Sequence, residues 1–375
     1  MQHGRETDPA IERWAGAGHS DDSDPARAGR EAVGAAITGE DPRLVVVFAS
    51  PRHDFDALAD AAREAAGPAE LIGSSGGAGV TAFALGGPGL CAASASASLS
   101  GSGSRGAGEK SARCLSDLDH DLPHRALILL ADGLTGDPQD VVRGAYSVAG
   151  PTVSLVGGCA GALLHGDRVL HGSVVAAAIG SEAPFGVGVR HGWRPRADPL
   201  LITASDGKRL QMINDRPALD VYLELAEAPV SADFSGFALL HPFGVAAARG
   251  RETQIRSVVD ADFQARSLQC NAELPAGTLV WPMEGIAEEV LNATSRACVE
   301  ALQPLHAQPP LGLLAFDSAA RAALLGAEGL SEARARIAAA AGRAPLGTAA
   351  TQAEIARTSG SVGFHSHALA VLAIG

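Results

Sequence analysis

LVVVFA at residues 44–49 is the stretch on which the fold turns. It is continuously apolar and β-branched at its centre, the pattern of a strand buried on both faces. The order of elements after this strand is repeated along the chain. Asp54–Ala66 reads as an amphipathic helix. A short strand at 70–73, a Gly/Ser turn at 73–79 and an alternating strand at 90–99 come next. ALILLA at 126–131 opens the same order again, with a helix over 137–149, a strand at 152–156, a Gly turn GGCAG at 157–161 and a strand at 168–179. LGLLAF at 311–316 opens a third pass, with a helix at 331–341, Pro345-Leu346-Gly347, a polar turn and a last strand at 362–374. The predicted fold is α/β, with mixed sheets built from repeated β-α-β-β units in two lobes. The repeat sets turns near Gly73, Gly157 and Gly347 at equivalent strand ends, where α/β sheets usually bind ligands.

Outside the repeats, residues 1–10 read as a frayed start and 11–18 as a strand. Asp21, Asp22 and Asp24 precede Pro25 and a helix over 25–37. The linking region carries alternating residues at 184–196 and a hairpin at 201–214 turning on Asp206-Gly207. Pro217 is expected in the first turn of the helix ALDVYLELA. Strands near 255–260 and a helix at 284–303 complete the second half. The predicted division is an arm and first strand (1–24), a first domain (25–212) and a second domain (213–375).

The chain has 375 residues, 29 basic and 42 acidic, for a formal charge of −13. A surface of that sign repels phosphate backbones, so no nucleic-acid partner is expected. Cys91, Cys114, Cys159, Cys270 and Cys298 are odd in number and widely spaced, which fits neither a disulfide framework nor a zinc site. The acidic N-terminal thirty residues lack an apolar signal core, and no run approaches the length of a membrane span. A cytoplasmic protein without membrane association is expected.

Several motifs carry a chemical reading beside a plain one. Gly73-Ser74-Ser75-Gly76-Gly77 fits the nucleophile-elbow pattern, with Ser75 as nucleophile, but also a Gly turn whose N–H groups cradle an anion. Cys159 in GGCAG would be a nucleophile beside a base, or a buried structural thiol. Gly101, Gly103 and Gly106 fit the dinucleotide fingerprint after a strand, or a flexible Gly/Ser loop. His365 and His367, two apart on a strand, could share a metal, or be pocket or edge polar residues. Glu354 could receive an ammonium group, or be a solvated surface carboxylate. Arg190, Arg194 and Arg196 would form an anion site, or a solvated hairpin face.

The order of LVVVFASP (44–51), ELIGSSGGAG (70–79), ALILLADG (126–133), VSLVGGCAG (153–161), PFGVGVRHGWRP (184–195), INDRPALDVY (213–222), LGLLAFDSAAR (311–321) and PLGTAATQAEIARTSGSVGFHSH (345–367) resembles the FIST family of paired FIST-N and FIST-C domains. The chain departs from the family pattern at Thr348, at Ala353 before Glu354, and at Asp317-Ser318 where a Cys is usual. The resemblance implies a stand-alone bacterial member of a sensory family, binding a small ligand such as an amino acid and signalling through a separate partner protein. The expected ligand contacts are Ser74, Ser75, Gly76, Gly158, Cys159, Ala160, Thr348, Glu354 and His365. No cofactor, metal or catalytic residue is assigned. The alternatives are a Ser/Cys hydrolase using the Gly73–Gly77 or Gly157–Gly161 turn, and a ligand-independent scaffold.

Overall fold

A computed structural model describes residues 12–133, 135–226, 234–246, 253–357 and 363–375. The unit of construction is β-α-β-α-β-β, used three times. The first copy is β1 (Trp14–Ser20), α1 (Pro25–Ala36), β2 (Pro42–Ala49), α2 (Phe55–Ala66), β3 (Glu70–Ser75) and β4 (Val80–Gly86). The second is β5 (Leu90–Ser98), α3 (Leu99–Ala112), β6 (His124–Asp132), α4 (Pro138–Ala149) and β7 (Ser154–Ala160), then the hairpin β8 (Leu163–His165) and β9 (Arg168–Leu170), then β10 (Ser173–Ser181). The third opens with β11 (Phe185–Arg190).

An insert then runs through β12 (Trp193–Pro195), β13 (Leu200–Asp206), β14 (Arg209–Ile213), β15 (Arg216–Pro217), α5 (Ala218–Ala226), α6 (Phe234–Leu239), β16 (Phe243–Val245), β17 (Gln254–Arg256), β18 (Val258–Asp262), β19 (Ser267–Cys270) and β20 (Leu279–Gly285). The third copy resumes with α7 (Ala287–Leu302), β21 (Gly312–Ser318), α8 (Ala319–Ala341) and β22 (Leu346–Thr351). The hairpin β23 (Ala353–Arg357) and β24 (Phe364–His365) is next, and β25 (Leu369–Ile374) ends the copy.

Each copy builds the same four-strand order: β1-β4-β2-β3, β5-β10-β6-β7 and β11-β25-β21-β22. In each, the second strand pairs in parallel with the third and antiparallel with the last. The apolar runs seen in the sequence are these second strands. Their inner faces meet in one core, with Val46 and Phe48 from the first copy, Ile128 and Leu130 from the second, and Leu314 and Phe316 from the third. Phe48 and Phe316 touch edge to face, ring centres 5.7 Å apart. The outer faces are covered by α1 and α2, by α3 and α4, and by α7 and α8. Asp24, Asp54 and Asp137 cap α1, α2 and α4 by accepting backbone N–H bonds in the first turn.

Small residues let helices lie on strands. A Cβ at Gly16 or Gly18 of β1 would stand 2.0 Å from Ala36 O or Ala32 O of α1, and one at Gly186 or Gly188 of β11 would meet Ala301 O or Ala297 O of α7 at 1.9 and 2.0 Å. Gly108 and Gly144 bring α3 and α4 together in the same way. The insert carries its own core, with Tyr222 ringed by Phe234, Phe237 and Phe243.

The structure corrects several sequence expectations. The strand at 90–98 opens the second copy; the strand closing the first is β4, which the sequence pattern does not announce. Gly73, Gly157 and Gly347 lie inside β3, β7 and β22, not in turns. The predicted strand at 168–179 is two strands broken at His171-Gly172. Gly101, Gly103 and Gly106 fall within α3, which kinks at Gly103, so there is no glycine loop between strand and helix to cradle a pyrophosphate. Pro217 pairs with Met212 in β15, and α5 starts at Ala218. No helix among the described residues is long and apolar enough to cross a membrane.

Candidate functional site

The two hairpins break the threefold regularity and so locate a site. In the second copy, β8–β9 leaves its own sheet and adds to the edge of β3 in the first. In the third copy, β23–β24 adds in the same way to the edge of β7 in the second. The first copy should add a hairpin to the edge of β22, but only residues 76–79 separate β3 from β4. β22 ends its sheet. The vacant place is a cleft of about 440 Å³ between the β22 edge, the β3–β4 turn and α8.

Cross-copy backbone bonds mark the three equivalent junctions. Ser75 N–H donates to Ala162 O at 2.9 Å, Gln352 N–H to Cys159 O at 2.9 Å, and Ala350 N–H to Gly76 O at 2.6 Å. The last fixes the orientation of β22. Residue 350 turns its peptide groups outward, so by alternation Thr348 aims its own N–H and C=O into the cleft. Gly76 makes the close approach feasible. Its φ is +143° and a Cβ there would sit 2.1 Å from Ala350 O.

The cleft floor is charged. Asp317, at the end of β21, lines it with its side chain 16% exposed. Behind it Arg321 is fully buried and donates to Asp317 Oδ1 at 2.5 Å, to Thr294 Oγ1 at 2.7 Å and to Val290 O at 3.3 Å. These bonds fix the carboxylate with one side open to the cleft. Arg334, on the α8 wall, is exposed and forms no ion pair among the described residues. Leu330, Ile337 and Ala322 supply an apolar wall. A site with a fixed anion, an exposed cation, an open strand edge and an apolar side suits a small zwitterion.

Of the residues expected to bind ligand, Gly76 and Thr348 line this cleft. The others lie elsewhere. Ser74 is buried in β3 opposite Leu163. Ser75 Oγ accepts N–H bonds from Gly161 at 3.2 Å and Ala162 at 3.1 Å, so the nucleophile-elbow hydroxyl is a junction tie. Gly158 faces the Thr351 methyl, 2.4 Å from where a Cβ would be. Ala160 pairs with Asp132. Cys159 is buried, and burial, with Glu354 and Asp132 adding to it, drives its thiol pKa far above the ordinary value. A thiol so held is a poor nucleophile.

Glu354 is fully buried on β23, opposite Gly158 and His365. The solvated-carboxylate reading is therefore corrected: β23 crosses into the second copy's sheet and takes the residue inside. Its carboxyl accepts from Thr351 Oγ1 at 2.8 Å and from Ala368 N–H at 3.0 Å. Burial pushes its pKa up to about 8 against these two bonds, which pull it down. His365 Nε2 bonds Ala356 O at 2.9 Å, whereas His367 bonds Leu239 O at 2.8 Å and Ser257 Oγ at 3.3 Å. The two imidazoles serve different partners, and no cluster of His, Cys, Asp and Glu among the described residues is placed to hold a metal. Arg190 pairs with Glu300 and Arg194 with Glu284, so these two do not form a shared anion site.

Sequence reasoning missed Arg321 and Arg334, and marked Asp317 only as a departure from the family pattern, not as a site residue. The visible signal was Asp317 and Arg321 at i, i+4 spacing across a strand-to-helix junction.

Comparison with known proteins gives one strong result. The FIST N domain model matches residues 43–216 and the FIST C domain model residues 218–357. No curated protein sequence matches. Among solved structures, the chain is similar to the cyanuric acid hydrolase from A. caulinodans, at 11% identity and a TM-score of 0.37, over 97% of this chain and 100% of that one. Similarity at that level carries no argument about activity.

Proposed function

The chain belongs to the FIST family, whose domains are sensory domains of signal-transduction proteins, and we propose that it senses a small zwitterionic metabolite, an amino acid or close analogue, in the cleft beside β22. The observation that carries this reading is the vacant third hairpin place, furnished with Asp317 on its floor and Arg334 on its wall. Asp317 receives the ligand's ammonium, Arg334 its carboxylate, and the Thr348 peptide group completes the edge pairing that a hairpin would otherwise make. The apolar part of the ligand lies along Leu330 and Ile337.

The cleft spans the first and third copies, so a ligand in it ties the β3–β4 turn to α8. α8 is itself broken at Gly326, where φ is +63°. A ligand that favours one setting of this joint shifts its population, which a partner protein reads. No bond of the ligand need be broken.

The test is a thermal-shift screen against amino acids. Ligand that binds only the native state adds RT ln(1 + [L]/Kd), about 2.7 kcal/mol at a hundredfold excess over Kd. Arg334→Gln should weaken the response to carboxylate-bearing ligands about tenfold, the worth of one charge-assisted hydrogen bond. A response unaltered in Arg334→Gln contradicts the assignment.

A further inference from the structure

Arg256 ends β17 in the insert, 5% exposed. Its guanidinium donates to its neighbour's carbonyl, Ile255 O, at 2.9 Å and to Gln254 Oε1 at 2.7 Å, and stands 5.7 Å over the Phe364 ring. None of these partners carries a charge. The carboxylate with the largest influence on it is Asp137, whose Oδ1 already accepts from Gln139 N–H as the cap of α4. Burial lowers the Arg256 pKa to about 10, so it remains charged at neutral pH. Among the described residues Arg256 has no ion-pair partner, and a buried cation held only by neutral acceptors is costly.

The guanidinium does not face a closed wall. It lines a small cavity of about 60 Å³ with Gln139, Val142 and Arg143 of α4, Gln254, and Phe364 of β24. Arg143 brings a second positive charge, half-exposed and bonded to Asp140 at 2.9 Å. Two guanidinium groups and two side-chain amides therefore line this small space. That is room for a small tetrahedral oxyanion.

We propose that this cavity is a binding site for a small oxyanion with the charge and size of phosphate, held between Arg256 and Arg143. The site joins the insert (β17), the second copy (α4) and the third copy's hairpin (β24), so its occupant clamps the insert onto the threefold body. The phosphoryl group comes either as free phosphate or as the exposed end of a phosphomonoester.

The experiment is thermal denaturation of the whole chain with inorganic phosphate replacing chloride at constant ionic strength, repeated with phenyl phosphate. Phosphate should raise Tm in a saturable way. An equal rise with phenyl phosphate identifies a site open to phosphomonoesters, and a rise with inorganic phosphate alone identifies one for the free ion. Gln254→Glu places a carboxylate on the guanidinium at the existing 2.7 Å contact. It should abolish the phosphate response while raising Tm in phosphate-free buffer. Arg256→Met should also abolish the response, and Ala322→Trp, which fills the separate β22 cleft, should leave it intact. Absence of a phosphate-specific rise in the wild type, or its survival in Gln254→Glu, overturns the proposal.

Discussion

Ala350 N–H donates to Gly76 O at 2.6 Å, and this bond joins the third copy of the repeat to the first. It stands at the one of the three junctions between copies that has no added hairpin among the described residues. The cleft exists because the connection between β3 and β4 is too short to supply one.

Gly76→Ala tests that junction. The substitution meets a positive φ and a carbonyl oxygen 2.1 Å from the new Cβ. The expected loss is about 1–3 kcal/mol of stability, seen as a lower midpoint in urea denaturation. Gly67→Ala, with a positive φ of 58° but open space around its Cβ, should cost less, because it carries the backbone strain without the clash.

Asp317→Asn leaves the fully buried Arg321 without its counter-charge. Removing one partner of a buried pair costs about 3–5 kcal/mol. The double variant Asp317→Asn, Arg321→Met should be more stable than Asp317→Asn alone. The measurement is the set of four unfolding free energies in a double-mutant cycle.

Burial of Glu354 sets the sign of a pH dependence. Its carboxyl holds its proton up to about pH 8 in the folded state, against an ordinary value of 4.5. Between those values the folded state binds more protons than the unfolded, so this group's contribution falls as pH rises through the window and is constant above it. Glu354→Gln keeps one acceptor for Ala368 N–H and a donor for Thr351, and has no charge to bury. The variant should gain stability over the wild type steadily from about pH 5 to pH 8. Unfolding curves for both proteins at three pH values across that window check it; a constant difference between them contradicts it.

Thiol chemistry separates the sensory reading from the Cys hydrolase. Cys114, Cys159, Cys270 and Cys298 are buried, and Cys91 is partly exposed. Iodoacetamide should modify Cys91 first in the native protein and Cys159 at a rate limited by unfolding, read by mass spectrometry. Rapid native labelling of Cys159 would revive the hydrolase.

Much of the fold was legible because the three central strands are buried on both faces and so read as unbroken apolar runs. β4 was not. Gly79 and Gly86-Gly87 bracket VTAFAL and suggest a loop, although the glycines admit Ser20 O and the Trp14 ring at close range. GGCAG reads as a turn for a related reason. Gly157 and Gly158 are strand residues that need no side chain because Leu129 O and the Thr351 methyl occupy that space. The paired small residues in AGAG of β1 and GVGV of β11 are a further sign of the repeat, since both lie under a helix. The site was less legible than the fold. Gly76 and Thr348 were marked by their small-residue context. Glu354 was not placed correctly because its burial depends on β23 crossing to another copy's sheet, and Arg334 comes to the cleft that Asp317 lines only through the packing of α8 on β21.

The most direct test of the account is calorimetric titration of the wild type and Ala322→Trp with the amino acid that gives the largest thermal shift. The tryptophan occupies the cleft wall at a half-buried position and leaves Asp317 and Arg321 in place. The account predicts saturable one-site binding by the wild type and none by the folded variant. Undiminished binding by Ala322→Trp, or no amino acid bound by the wild type, would contradict it.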